Sequence, residues 1–227
     1  MKFSQPLLGI LFDFDGLILD TETPIFQAWK NKFKEFGKEL HLNDWAQILG
    51  KSNDDLGPVE DFLKAFPDPE VRKQILAEVS QEERALLHGR QPLPGVEALI
   101  KKAHEEGVKL GIVSSSDQEW VHSHLRRLGL LEYFEHTSCA DEVEQAKPDP
   151  ALYHLGLEKM GVESDRVVVL EDSPHGVMAA KRAGLYCIAV PNQLTRQLSF
   201  FEDGGAPDRV LETLVEFPWD ELMRTNS

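Results

Sequence analysis

The sequence predicts an α/β fold, a parallel-sheet core interrupted after its first strand by an all-helical insertion. Three observations carry this. Four short apolar runs, residues 7–12, 109–113, 167–170 and 187–190, do not alternate polar with apolar residues, as expected of strands buried on both faces. Helix-like stretches separate the last three, the pattern of strands joined by crossover helices. From residue 17 to residue 91 no strand-like run occurs, only helical periodicity.

The elements follow in order. The run 7–12 is the first strand, and it closes on Asp13-Phe14-Asp15-Gly16. Helical periodicity then covers residues 25–36, 42–49, 59–65 and 71–87. Pro94 and Gly95 open a helix over residues 96–106, and Gly107 ends it. A second core helix runs from Asp117 through Leu128 to Gly129. A third starts at Pro150, reaches Met160 and is capped by Gly161. Ser173-Pro174 supplies an N-cap and a first helical residue, with Gly184 closing that helix. Residues 223–227 are expected to fray. The chain thus divides into a Rossmann-like core, residues 1–16 and 93–227, and a helical insertion, residues 17–92.

Composition narrows the function. The chain has 227 residues, enough for a core and a modest insertion, with 41% hydrophobic and 28% charged residues, as in globular proteins. No run approaches the roughly 20 apolar residues of a membrane span, and no secretory pattern opens the chain, so a cytoplasmic protein without a membrane partner is expected. The net charge of −15 argues against a nucleic-acid partner, which needs clustered Lys and Arg. Cys139 and Cys187 lie far apart with no zinc-ligand spacing, and read as reduced, buried thiols. A monomer is expected.

Asp13 and Asp15 are the most informative pair. Two carboxylates where a buried strand runs out into a loop are costly unless they hold a metal, do chemistry, or both. Gly16 lets the backbone turn and a ligand approach, and Asp20 and Thr21 offer further oxygens. A calcium loop is excluded, because the glycine follows the second Asp directly and the twelfth position is Pro24. Gly50-Lys51-Ser52 resembles the tail of a P-loop but has Trp45 where the earlier glycine belongs. His122 and His124, two apart on a helix, point to different faces.

Three later constellations fall at element boundaries. Ser114 ends the strand 109–113, too early to cap the following helix as Ser116 or Asp117 can; at the carboxyl end of a strand its hydroxyl can hold a phosphoryl oxygen. Lys147, in Lys147-Pro148-Asp149-Pro150, is carried on a backbone stiffened by two prolines, where a fixed ammonium can neutralise a carboxylate and a phosphate. Glu171 and Asp172 end the strand 167–170 and suit magnesium, which takes oxygen ligands from one or two carboxylates. They also favour the N-terminus of the next helix.

In this order Asp13-x-Asp15, Ser114, Lys147 and Glu171-Asp172 resemble the four motifs of the haloacid dehalogenase-like hydrolases, most of which are magnesium-dependent phosphatases. The resemblance covers essentially the whole chain. It implies Asp13 as nucleophile, Asp15 as general acid/base, Ser114 and Lys147 as phosphoryl binders, and Asp13, Asp15, Glu171 and Asp172 on the Mg²⁺ side. The helical insertion is similar to the family's cap, as in β-phosphoglucomutase and phosphoglycolate phosphatase relatives.

The reaction so implied is hydrolysis of a small phosphorylated metabolite through an aspartyl-phosphate. A metal-free dehalogenase would need neither Asp15 nor Asp172. A sugar phosphomutase is the closer alternative, but its His twelve positions after the nucleophile corresponds to Ile25, and its phosphate-gripping arginine to about Asn53. A catalytically silent binding protein is the third reading, disfavoured because no catalytic position is missing. Lys51, Asn53, Arg84 and Arg90 are candidates for substrate contact from the cap.

Overall fold

The computed structural model describes residues 5–45, 57–200 and 205–223. Six strands, β1 (Gly9–Phe12), β2 (Lys109–Val113), β3 (His136–Ser138), β4 (Val167–Glu171), β5 (Tyr186–Ala189) and β6 (Arg209–Val210), form one sheet in the order β3-β2-β1-β4-β5-β6. Every pairing is parallel. β1 lies at the centre, with Phe12 in register with Ile112 of β2 and Leu170 of β4. The carboxyl ends of these three strands therefore meet at one edge, where Asp13, Ser114 and Asp172 follow.

Four of the strands are the apolar runs expected, β2 with the same bounds and the other three differing by one or two residues. β3 and β6 were not expected. They occupy the two edges of the sheet, where a strand pairs on one side only and is not sandwiched as the centre is. His136-Thr137-Ser138 and Arg209-Val210 accordingly carry no apolar run.

Between β1 and β2 lie α1 (Glu22–Glu35), α2 (Leu42–Trp45), α3 (Pro58–Lys64), α4 (Pro69–Leu87) and α5 (Val96–Glu105). The first four form the helical cap, and no strand occurs there among the described residues. The helix expected over 42–49 is described as far as Trp45. α4 begins earlier than its periodicity suggested because Asp68 accepts a 2.9 Å bond from Glu70 N and Pro69 takes the first turn. The rest of the core adds α6 (Gln118–Leu128), α7 (Ala151–Met160), α8 (Pro174–Arg182) and α9 (Trp219–Met223). Met223, expected to fray, instead ends α9, and Leu222 O accepts a bond from Leu7 N.

Alternate residues of each strand feed two apolar layers. Ile10, Phe12, Ile112, Val168 and Leu170 pack with α5 and α6 on one face, and Leu11, Val113, Val167 and Val169 with α7 and α8 on the other. Cap helices α1 and α3 share a third cluster, in which Phe33 and Phe62 stack with centroids 4.3 Å apart. The two linkers between core and cap touch. Leu93 N donates to Ile18 O at 2.9 Å, and Arg90 pairs with Asp20.

Candidate active site

The Lys147 ammonium is the centre of the site. It is buried and lies 2.5 Å from Asp13 Oδ1, 2.7 Å from Glu171 Oε1 and 2.8 Å from Val113 O. Two carboxylates and a carbonyl satisfy its three donors, and although burial alone would weaken its hold on the proton, Asp13 and Glu171 raise it above the ordinary lysine value. Tyr153 of α7 donates its hydroxyl to Glu171 Oε1.

On the acids burial acts in the opposite sense to its action on Lys147. Burial pushes the Asp13 carboxyl well above the usual carboxylate range, with Lys147 pulling it back. Asp172 is raised by burial and then by the charges of Asp13, Glu22 and Glu171. Glu22, the first residue of α1, is raised by burial and then by Asp15, Asp13 and Asp20. This accumulation of negative charge is costly without a cation.

Ligand oxygens of Asp13, Glu171 and Asp172 all lie within 4.8 Å of one another. Asp13 Oδ2 and Glu171 Oε2 are buried and accept no hydrogen bond. Orphaned carboxylate oxygens in a buried acidic group are the donor set a hard divalent cation requires, so the residues fit such an ion. Asp172 Oδ2 is held by Asn192 Nδ2 at 2.7 Å, and the same amide reaches Gly16 O at 3.2 Å. Gly16 has φ 84°, and a Cβ there would lie 2.4 Å from Asp172 Oδ2, so the expected close approach is realised by the carboxylate itself.

The Asp15 side chain, included in the expected metal set, lies outside that group and is engaged elsewhere. Oδ1 accepts from Thr21 Oγ1 and Trp120 Nε1, each at 2.8 Å; Oδ2 accepts from Ser116 Oγ at 2.7 Å and Ser114 Oγ at 3.4 Å. Thr21 is therefore a donor to Asp15 rather than a further metal oxygen. Asp20 likewise serves the chain, accepting from Thr23 N at 3.1 Å and pairing with Arg90. Asp117, not Ser116, caps α6, accepting from Trp120 N at 2.8 Å. Ser173 caps α8 as expected, accepting from Gly176 N at 3.2 Å.

The structure brings Asp13, Asp15, Ser114, Lys147, Glu171 and Asp172 to one edge of the sheet. The cap candidates fare differently. Arg84 is exposed and bonds Ser80, Arg90 is committed to Asp20, and Lys51 and Asn53 lie outside the described residues. His122 and His124 do diverge, the first toward Thr137 and the second onto Trp120. Sequence reasoning missed Trp120, Tyr153 and Asn192. No local pattern marks them, since each meets its partner only across the fold.

A family model described as haloacid dehalogenase-like hydrolase matches residues 10–190, from within β1 to just beyond β5. The chain belongs to that family. YhcW of Bacillus subtilis is 39% identical to this haloacid dehalogenase-like hydrolase over 209 residues, 92% of each chain. The phosphorylated carbohydrates phosphatase of Thermotoga maritima is 31% identical over 92% of this chain and 98% of its own. The solved structure of CbbY from Rhodobacter sphaeroides in complex with xylulose-(1,5)bisphosphate superposes with a TM-score of 0.77 at 28% identity, covering 96% of this chain and 100% of that one. Family and relatives together support the enzyme class expected from the sequence, a phosphoric monoester hydrolase. Among the described residues no helix is long and apolar enough to cross a membrane.

Proposed function

We propose that this hydrolase removes the phosphoryl group of a small phosphorylated metabolite, with magnesium, through an aspartyl-phosphate on Asp13. The observation that carries the reading is the state of Asp13. One oxygen is held by Lys147, and the other accepts no hydrogen bond, which leaves its lone pairs for phosphorus or a cation.

In the first step an Asp13 oxygen attacks phosphorus, the bond from phosphorus to the ester oxygen breaks, and Asp15 gives its proton to the leaving alkoxide. In the second, Asp15 takes a proton from water, whose oxygen attacks the phosphorus of the acyl phosphate and releases inorganic phosphate and free Asp13. Lys147 and Ser114 hold phosphoryl oxygens, and Lys147 offsets the repulsion between carboxylate and phosphate. Asp13, Glu171 and Asp172, with a backbone carbonyl, are the candidates to hold the magnesium, which supplies positive charge against the phosphoryl oxygens when bound. A division into core (1–16 and 93–227) and cap (17–92) suits this scheme, because a cap closing on the strand ends excludes bulk water.

Phosphorylated carbohydrates are the first substrate class to examine, given the named activity of the Thermotoga maritima relative. Hydrolysis is favoured over the phosphomutase alternative by Ile25, which offers no proton-transfer group where that chemistry uses a His. A phosphate-release screen over sugar phosphates, phosphoglycolate and nucleoside monophosphates, with and without magnesium, tests the proposal. Release from at least one class, abolished by chelation, is expected. Interconversion of sugar phosphates without net phosphate release would overturn it in favour of the mutase.

A further inference from the structure

Trp120 stands outside the four motifs, yet its indole Nε1 lies 2.8 Å from Asp15 Oδ1, across a sequence separation of 105 residues. We propose that Trp120 is a positioning residue that sets the orientation of the Asp15 carboxylate, an inference that rests on the acid/base role given above to Asp15.

The chemistry of the four donors around Asp15 separates Trp120 from the rest. Thr21, Ser114 and Ser116 present hydroxyls, which rotate about their C–O bonds and can accept as well as donate. The indole N–H is a donor only, and its direction is that of a rigid ring. It alone prescribes where Oδ1 must lie. The residue is itself held at three points. Its backbone N–H is bound to the helix-capping Asp117 at 2.8 Å, its ring meets that of His124 edge-to-face at 4.5 Å and 71°, and the ring packs against the apolar layer under α5 and α6. A carboxylate at the loop end of a strand has two free torsions, and a donor anchored on the first turn of a neighbouring helix removes that freedom. Positioning of this kind is what a group that must meet first a leaving oxygen and then a water requires.

Trp120→Phe keeps the ring and removes the N–H. The test compares unsubstituted protein, Trp120→Phe, Asp15→Asn and the double variant, with magnesium, reading steady-state turnover of a sugar monophosphate and decay of the phosphoenzyme formed rapidly from p-nitrophenyl phosphate. In Trp120→Phe, kcat and the decay rate should fall about tenfold, the cost of one hydrogen bond to a charged group, while KM changes less than twofold. In the Asp15→Asn background the same substitution should change the decay no further, because residues acting through one another are not additive. Unchanged decay in Trp120→Phe overturns the proposal, as does an equal further loss in the double variant, which would make Trp120 a substrate contact. Absence of any phosphoenzyme in the unsubstituted protein removes the acid/base reading and this proposal together. If Trp120→Phe folds poorly, benzothienylalanine at position 120, with sulfur in place of the N–H, makes the same comparison.

Discussion

Lys147 Nζ lies 2.7 Å from Glu171 Oε1, with side chains only 1% and 0% exposed. Removing the ammonium leaves the charges of Asp13 and Glu171 buried without their counter-ion. Lys147→Met should therefore destabilise the fold by about 3–5 kcal/mol, the usual cost of breaking a buried pair from one side, and abolish phosphate release. Urea unfolding beside the phosphate assay measures both. Wild-type stability would show that the pair is not the support inferred.

Asp13→Asn nearly preserves shape but removes the proposed nucleophile, so a well-folded variant should release no phosphate above background. Asp15→Asn should differ. With p-nitrophenyl phosphate, whose leaving group needs no proton, it should be phosphorylated once and then stall. Quench-flow traces showing one burst equivalent and negligible turnover are expected; steady turnover at the wild-type rate would exclude Asp15 as the acid/base.

Magnesium should stabilise as well as activate, because bound among Asp13, Glu171 and Asp172 it would offset their charge. A ligand binding only the native state contributes about 2.7 kcal/mol at a hundredfold excess over Kd. Asp172→Ala should remove most of that gain. Asn192→Ala, which frees Asp172 Oδ2 from its amide, should weaken binding about tenfold or more. Calorimetric titration with magnesium reads each affinity without recourse to activity.

A Cβ at Gly176 would lie 2.0 Å from the carboxylate atoms of Glu171. Alanine is ordinarily the better helix former by about 1 kcal/mol, yet here Gly176→Ala should destabilise and should displace Glu171 from Lys147. A lowered melting temperature with reduced kcat is expected, and a more stable, fully active variant would contradict the packing described.

Both cysteines are buried thiols. Burial pushes Cys139 up to about 12 and raises Cys187 well above its ordinary value, so neither should react with thiol reagents at pH 8 unless the chain unfolds. The unfolded chain loses these protons near pH 8.5 and the native one does not, so the native state binds more protons above that pH. Stability should fall as pH rises above about 8.5. Urea midpoints at pH 7 and pH 10 measure this, and alanine at both positions should flatten the difference.

Much of the site was legible before the fold was known, because chemistry at strand ends leaves a local signature. Asp13, Ser114 and Asp172 each directly follow a buried strand, and continuous apolar runs ending in polar oxygens announce that arrangement. Trp120 and Tyr153 left none. An aromatic at helical spacing reads as core, and only packing reveals that one N–H meets Asp15 and one hydroxyl meets Glu171. Asp20 and Thr21 were misassigned for the same reason, since their oxygens are spent on Arg90 and Asp15 from other parts of the chain.

By itself the sequence predicted the parallel sheet, the helical insertion and the four motifs, because each apolar run and each polar strand end is a local pattern and their order along the chain could be read directly. Tertiary structure alone decided how those residues are used. Lys147 became a buried counter-ion because the chain brings the ends of β1, β2 and β4 to one edge of the sheet, where the ammonium lies among Asp13, Glu171 and the Val113 carbonyl. Asp15 was directed away from the acidic group for a parallel reason: three hydroxyls and an indole N–H from separate segments converge on its oxygens, and a carboxylate turns toward the donors the fold supplies.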